Sequence, residues 1–244
     1  MNNAIIFGVL GGFSLVIGAF FGIRFNFKQK VIAGFMAFGS GVLICALTTG
    51  LMEEAFRYGG FDAAIIGFLA GGLVFVGGDY LLHLAGARKH RHKPLVSSDK
   101  DSNGKLITLG AILDGVPESI ALGIVLFVGQ SGGVLMLAAI FLSNFPEGIS
   151  SVSGLLKEGF SKKKIYLIWT IVAMISAILT IASYIFLHDL NPNIIGILES
   201  FAAGAILAML ADSMMPEAYE EGGFGIGLLT IVGFIIAFVL SRIS

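Results

Sequence analysis

Long apolar stretches alternate with short polar breaks along almost the whole chain. A transmembrane helix needs about 20 mostly apolar residues. Eight stretches reach that length: residues 4–23, 31–52, 63–86, 106–127, 132–155, 164–187, 193–215 and 223–240. Stretches of this length exceed what the strands of a membrane barrel need, so the pattern predicts an all-α membrane protein with eight transmembrane helices. The one sizeable polar break, residues 87–105, carries His90-Arg91-His92, Ser97, Ser98 and Gly104. It reads as a flexible loop. Its histidines sit among Arg88, Lys89, Arg91 and Lys93, which repel a cation.

The pattern also repeats. Residues 37–61 align without a gap on residues 200–224, at an offset of 163. Phe38/Phe201, Gly41/Gly204, Leu47/Leu210, Met52/Met215, Glu54/Glu217, Ala55/Ala218, Gly59/Gly222, Gly60/Gly223 and Phe61/Phe224 are identical. One copy closes the second span and the other closes the seventh. The two are five spans apart, an odd number, so the copies run in opposite directions through the bilayer. This predicts a 3+2+3 arrangement with an inverted repeat and a site where the repeats meet. The expected divisions are 1–86, a three-helix repeat; 87–105, a cytoplasmic loop; 106–155, a central helix pair; 156–163, a second cytoplasmic loop; and 164–244, the second repeat.

Composition agrees with a bilayer solvent. Hydrophobic residues make up 56% of the 244, charged residues 13%, and mean hydropathy is +0.93; soluble domains carry about 25% charged residues. The net charge of −1 matters less than where the charges lie. Arg24, Lys28, Lys30, Arg88, Lys89, Arg91, Lys93, Lys100, Lys105, Lys157, Lys162, Lys163 and Lys164 fall on one side of the predicted bilayer, thirteen of the fifteen basic residues. Arg57 and Arg242 fall on the other. The rich side is read as cytoplasmic, which places both termini outside a plasma membrane crossed many times. With basic residues confined to short loops, no nucleic-acid surface is expected. A single cysteine, Cys45, allows no internal disulfide. No cleavable leader is expected, since only Met1-Asn2-Asn3 precede the first span.

Carboxylates inside the apolar stretches are the candidate chemistry. Asp114-Gly-Val-Pro117-Glu118 lies midway along the fourth span, and Ser143-Asn144-Phe-Pro146-Glu147 midway along the fifth. Each carboxylate at the centre of a span costs about 2.5–3.5 kcal/mol on insertion scales and usually marks an ion or proton path. Asp114 and Glu118 are i and i+4, one turn apart on one helix face. Pro117 and Pro146 cannot donate to the carbonyls of Leu113 and Leu142, so each frees a backbone oxygen near its glutamate. Asp114, Glu118 and Glu147, with Asn144 and Ser143, form the expected cation site. Glu54, Asp212 and Glu217 are the expected entrance and exit groups, since negative potential at a mouth concentrates cations. Glu199 reads as a residue snorkelling to the interface. Asp79 and His83 read as a helix-packing pair. Thr48 and Thr49 either line the path or bond back to their own helix. Gly8, Gly12, Gly18 and Gly22 have the spacing of close helix contacts.

These residues resemble the Zrt/Irt-like (ZIP) metal permeases over nearly the whole chain. The resemblance rests on eight spans, the histidine-bearing loop, a proline–glutamate motif in spans four and five, and Met215-Pro216-Glu217-Ala218. It implies inward movement of divalent metals of the zinc, iron and manganese class. The metal is then substrate, and neither cofactor nor enzyme activity is implied. Lipid and metal ions are the expected partners, and a homodimer is left open. In the family's usual His-Asn-x-Pro-Glu-Gly motif, Asp114 and Gly115 stand here for histidine and asparagine. In the fifth span Ser143 and Asn144 take the two polar places. The sixth span, residues 164–187, holds no Asp, Glu or His, so the second metal position of some bacterial members has no counterpart there. Two rivals stay open: a transport-inactive sensor or scaffold of the same fold, and an intramembrane metal-dependent hydrolase. The near-absence of histidine in the spans weighs against the hydrolase.

Overall fold

The computed structural model describes residues 1–84, 100–129 and 132–243. His90, His92 and most of the long loop lie outside them. The described residues form helices and no strand: α1 (Asn2–Arg24), α2 (Gln29–Ala46), α3 (Glu53–Leu84), α4 (Lys100–Val128), α5 (Gly132–Lys157), α6 (Lys162–Phe186), α7 (Pro192–Met209), α8 (Met215–Gly222) and α9 (Ile226–Ile243). Side-chain caps open two of them: Ser161 accepts from Lys164 N at 3.3 Å, and Asn191 from Ile194 N at 3.0 Å with Pro192 in the first turn.

Seven helical stretches among these residues are long and apolar enough to cross a membrane. One of them, Gln29–Leu84, runs for 56 residues. At 1.5 Å per residue that is roughly 80 Å, against a hydrocarbon core of about 30 Å. The stretch is not straight, because Gly60 breaks it at φ 71°, ψ −169°. Residues 53–62, expected to lie between spans, are therefore helical on both sides of a kink. Residues 100–105, expected in the loop, form the first turns of α4. Both differences share a cause: hydropathy marks where side chains leave water, not where backbone hydrogen bonding starts.

The repeated segments carry the same two irregularities. A π segment follows α2 at Leu47–Met52 and another follows α7 at Leu210–Met214. In the first, Thr48 Oγ1 donates to Ile44 O at 2.7 Å and Thr49 Oγ1 to Cys45 O at 2.8 Å, so both threonines bond back to their own helix. Beyond the π segments come Gly60 and, 163 positions on, Gly223 at φ 69°, ψ −145°.

Helix pairing has a matching regularity. α3 packs most extensively on α7, and α9 on α2; α1 lies on α5, and α6 on α4; α2 lies on α5, and α7 on α4. Exchanging α1 with α6, α2 with α7, α3 with α9 and α4 with α5 maps this pattern onto itself. In a bilayer such contacts are driven by van der Waals packing between small residues rather than by hydrophobic burial. A β-carbon at Gly71 would run into Phe201 O, and one at Gly204 into Phe68 O, in the α3–α7 contact. The α2–α9 contact has the same device, Gly41 on Thr230 O and Gly233 on Phe38 O. Leu15, Leu43, Leu51, Phe75, Leu122 and Ile206 fill the interior, while Leu73, Leu81 and Ile231 face outward, as lipid contact requires.

Candidate metal centre

The two proline-bearing helices bring their polar motifs together. Pro117 lies inside α4 and Pro146 inside α5. Ser143 Oγ on α5 lies 2.8 Å from Glu118 Oε1 on α4 and donates to it. The same hydroxyl has a second acceptor, Ile140 O, at 2.9 Å, so its single proton is divided between helix and carboxylate. Glu118 is 2% exposed, Asp114 9%, Ser143 5% and Asn144 4%. The other carboxylate oxygen, Glu118 Oε2, is buried with no hydrogen-bond partner among the described residues. An orphaned acceptor in this place is a ready oxygen ligand, because a buried polar atom left unpaired costs about 1–3 kcal/mol.

The surrounding residues hold this pair in position. Asp114, one turn before Glu118, is near enough for the two to interact electrostatically. Asn144 Nδ2 donates to Gly11 O of α1 at 3.4 Å, which leaves its carbonyl oxygen as the atom able to ligate. Ser119 Oγ donates to Gly115 O at 2.6 Å, and Thr180 Oγ1 of α6 to Ser119 O at 3.1 Å, tying α4 to α6 behind the motif. The carbonyl freed by Pro146, Leu142 O, is covered by α2: a β-carbon at Gly39 would lie 2.7 Å from it.

Glu147 is half-buried, one turn beyond Ser143. Glu217 is half-buried on α8 and accepts from Ser150 Oγ of α5 at 2.9 Å. Ser150 is three residues past Glu147 and so on the same face, a spacing that identifies it once the fifth span is known. Asp212 is half-buried in the second π segment. Glu54 is 8% exposed, with Arg57 Nη1 at 2.6 Å from its Oε1. Glu199 does not snorkel. It is 1% exposed inside α7, because its neighbours Gly196 and Ser200 press that turn against α3. No group of three or more His, Cys, Asp or Glu side chains is gathered for a metal among the described residues. Of the expected ligands, Glu118 and Ser143 are joined directly, by the hydrogen bond between α4 and α5.

The two proline-bearing helices thus carry buried and half-buried carboxylates among apolar residues, and comparison with known families gives them a context. The family model for the ZIP zinc transporter matches residues 85–241, which includes both proline–glutamate motifs and the Met215–Ala218 motif. The chain belongs to the ZIP zinc transporter family. No curated protein gives a match. As a ZIP protein it is a multi-pass membrane protein that transports metal cations, and ZIP proteins are transporters rather than enzymes.

Proposed function

We propose that this ZIP protein moves a divalent metal cation towards the cytoplasm through a midmembrane site of Asp114, Glu118 and Glu147, assisted by Ser143 and Asn144. The observation that carries the reading is the hydrogen bond from Ser143 to Glu118, made at the middle of two apolar helices, beside an unpartnered buried carboxylate oxygen. The break in Gln29–Leu84 at Gly60 and the self-mapping helix contacts support a reading of eight crossings in a 3+2+3 inverted arrangement. The lysine and arginine asymmetry then puts the termini outside a plasma membrane, the Gly60 end of the pathway at its entrance and Glu217 at its exit. Oxygen ligands suit manganese or ferrous iron at least as well as zinc.

The test is uptake by protein reconstituted in liposomes, with zinc, manganese and ferrous iron compared. Glu118→Gln and Glu147→Gln should each nearly abolish flux in protein that still inserts. Ser143→Ala should slow flux less, since it removes one hydrogen bond, worth about 1.5–3 kcal/mol when the acceptor is charged. Near-normal transport by either glutamine variant would mean that glutamate braces helices instead. One observation favours a second reading, a transport-inactive metal sensor of the same fold: among the described residues no three acidic, histidine or cysteine side chains gather for a metal. Liposomes that bind metal without accumulating it would select that reading.

A further inference from the structure

Glu199 has no part in the site above, yet it is the most deeply buried carboxylate in the chain's described residues, at 1% exposure. It stands seven residues into α7, about 10 Å along the helix from Pro192 and short of the pathway's midpoint. Its Oε2 is buried and without a hydrogen-bond partner among the described residues. One turn earlier, Gly196 abuts the short limb of α3 before Gly60: a β-carbon there would come within 2.7 Å of both Ala55 O and Gly59 N. That contact sets Glu199 one turn past the place where α7 meets Ala55, the chain neighbour of Glu54 in α3. Two carboxylates close together in a buried place repel one another, and positive charge set between them relieves it.

Part of that charge is already present. Arg57 reaches back to Glu54 Oε1, but its side chain is 69% exposed against 11% for Glu54. It is held by one ion pair with a flexible stem in solvent, so it is easily exchanged. We propose that Glu54 and Glu199 form an additional cation-binding position between the entrance and the midmembrane site, with Arg57 as a displaceable stand-in for the ion. Two carboxylates leave most of the coordination sphere to water. That suits a hard divalent ion still shedding its hydration shell on the way in, as magnesium and similar ions are held by one or two carboxylates and several waters. The equivalent glutamate in the other repeat, Glu217, meets a serine hydroxyl instead, so the position belongs to the entrance alone. This rests on the reading that cations enter at the Gly60 end.

Manganese binding to the full chain in lipid nanodiscs tests it without requiring transport. With Asp114→Asn, Glu118→Gln and Glu147→Gln combined, one manganese equivalent should remain, and adding Glu199→Gln should remove it. If the triple variant does not insert, the single Glu199→Gln protein should bind one equivalent fewer than wild type. It should also need about threefold or more manganese for half-maximal uptake, whereas Arg57→Gln should need less. Unchanged stoichiometry in Glu199→Gln, or no residual binding in an inserted triple variant, overturns the proposal; in the first case Glu199 holds a proton only. Loss of flux in the midmembrane variants alone bears on the central site, because residual manganese binding reports the outer position independently.

Discussion

Gly60 and Gly223 occupy corresponding places in the two repeated segments and adopt nearly the same backbone, φ 71° and φ 69° with ψ near the extended limit. Only glycine enters that region freely, and another residue held there costs about 1–3 kcal/mol. A β-carbon would meet nothing within 4 Å at either position, so the penalty is one of backbone conformation and not of crowding. Gly60→Ala and Gly223→Ala should each lower the unfolding temperature of purified protein. Gly77→Ala, in the body of α3 with equally open space and no positive φ, should not. Equal behaviour of all three would remove the breaks from the account of the fold.

The glycines in the helix contacts act by space instead. A β-carbon at Gly71 or at Gly233 strikes a carbonyl of the facing helix, which has no rotamer by which to yield. Alanine at either place should force the α3–α7 or α2–α9 pair apart and cost about 1–3 kcal/mol, as overpacking does in other cores. Because the two contacts correspond under the exchange of repeats, the two substitutions should cost similar amounts. Thermal unfolding in one detergent, measured side by side, checks this. A loss at one and none at the other would show that only one repeat is tightly packed.

Much of this architecture is legible in the sequence, and the exceptions have common causes. The apolar middles of the helices and the repeat are plain, since both depend on residue type and offset alone. The start of α4 at Lys100 is not, because its first turns are polar and helical hydrogen bonding leaves no trace in hydropathy. Which side chains meet is harder still. Glu118 finds Ser143, 25 residues away, through the depth and rotation of two helices, and no local pattern encodes either. Glu199 reads as interfacial by its distance from the helix start. It is buried because Gly196 lets α3 come close, and that fact belongs to another helix. Arg57 is conspicuous as one of two basic residues on its side, yet its pairing with Glu54 is an ordinary i, i+3 contact that the spacing already allows.

Topology can be tested apart from transport. The basic residues flanking α5 and α6 should face the cytoplasm and the C-terminal end of α9 the exterior. A cysteine placed at Ser161 should resist a membrane-impermeant thiol reagent in intact cells, and one at Ser241 should react. Cys45 is buried and gives no background. The reverse labelling would exchange entrance with exit and turn the proposed flux outward.

Asp114 gives the sharpest prediction, because the proposed site takes its all-oxygen character from it. It stands where the wider family's motif has histidine, 9% exposed and one turn from Glu118. With Asp114 in place the donors of the proposed site are all oxygen: three carboxylates, the Asn144 carbonyl and the Ser143 hydroxyl. Hard oxygen donors suit manganese and ferrous iron, whereas imidazole favours zinc. Asp114→His exchanges a carboxylate for an imidazole while keeping a donor on the same face of α4. The variant should gain zinc uptake relative to manganese, by about tenfold if the change in preference is worth about 1.4 kcal/mol. Wild type should carry manganese or ferrous iron at least as fast as zinc in the same liposomes. Wild-type uptake dominated by zinc, and unaltered in Asp114→His, would show that selectivity is decided elsewhere along the path.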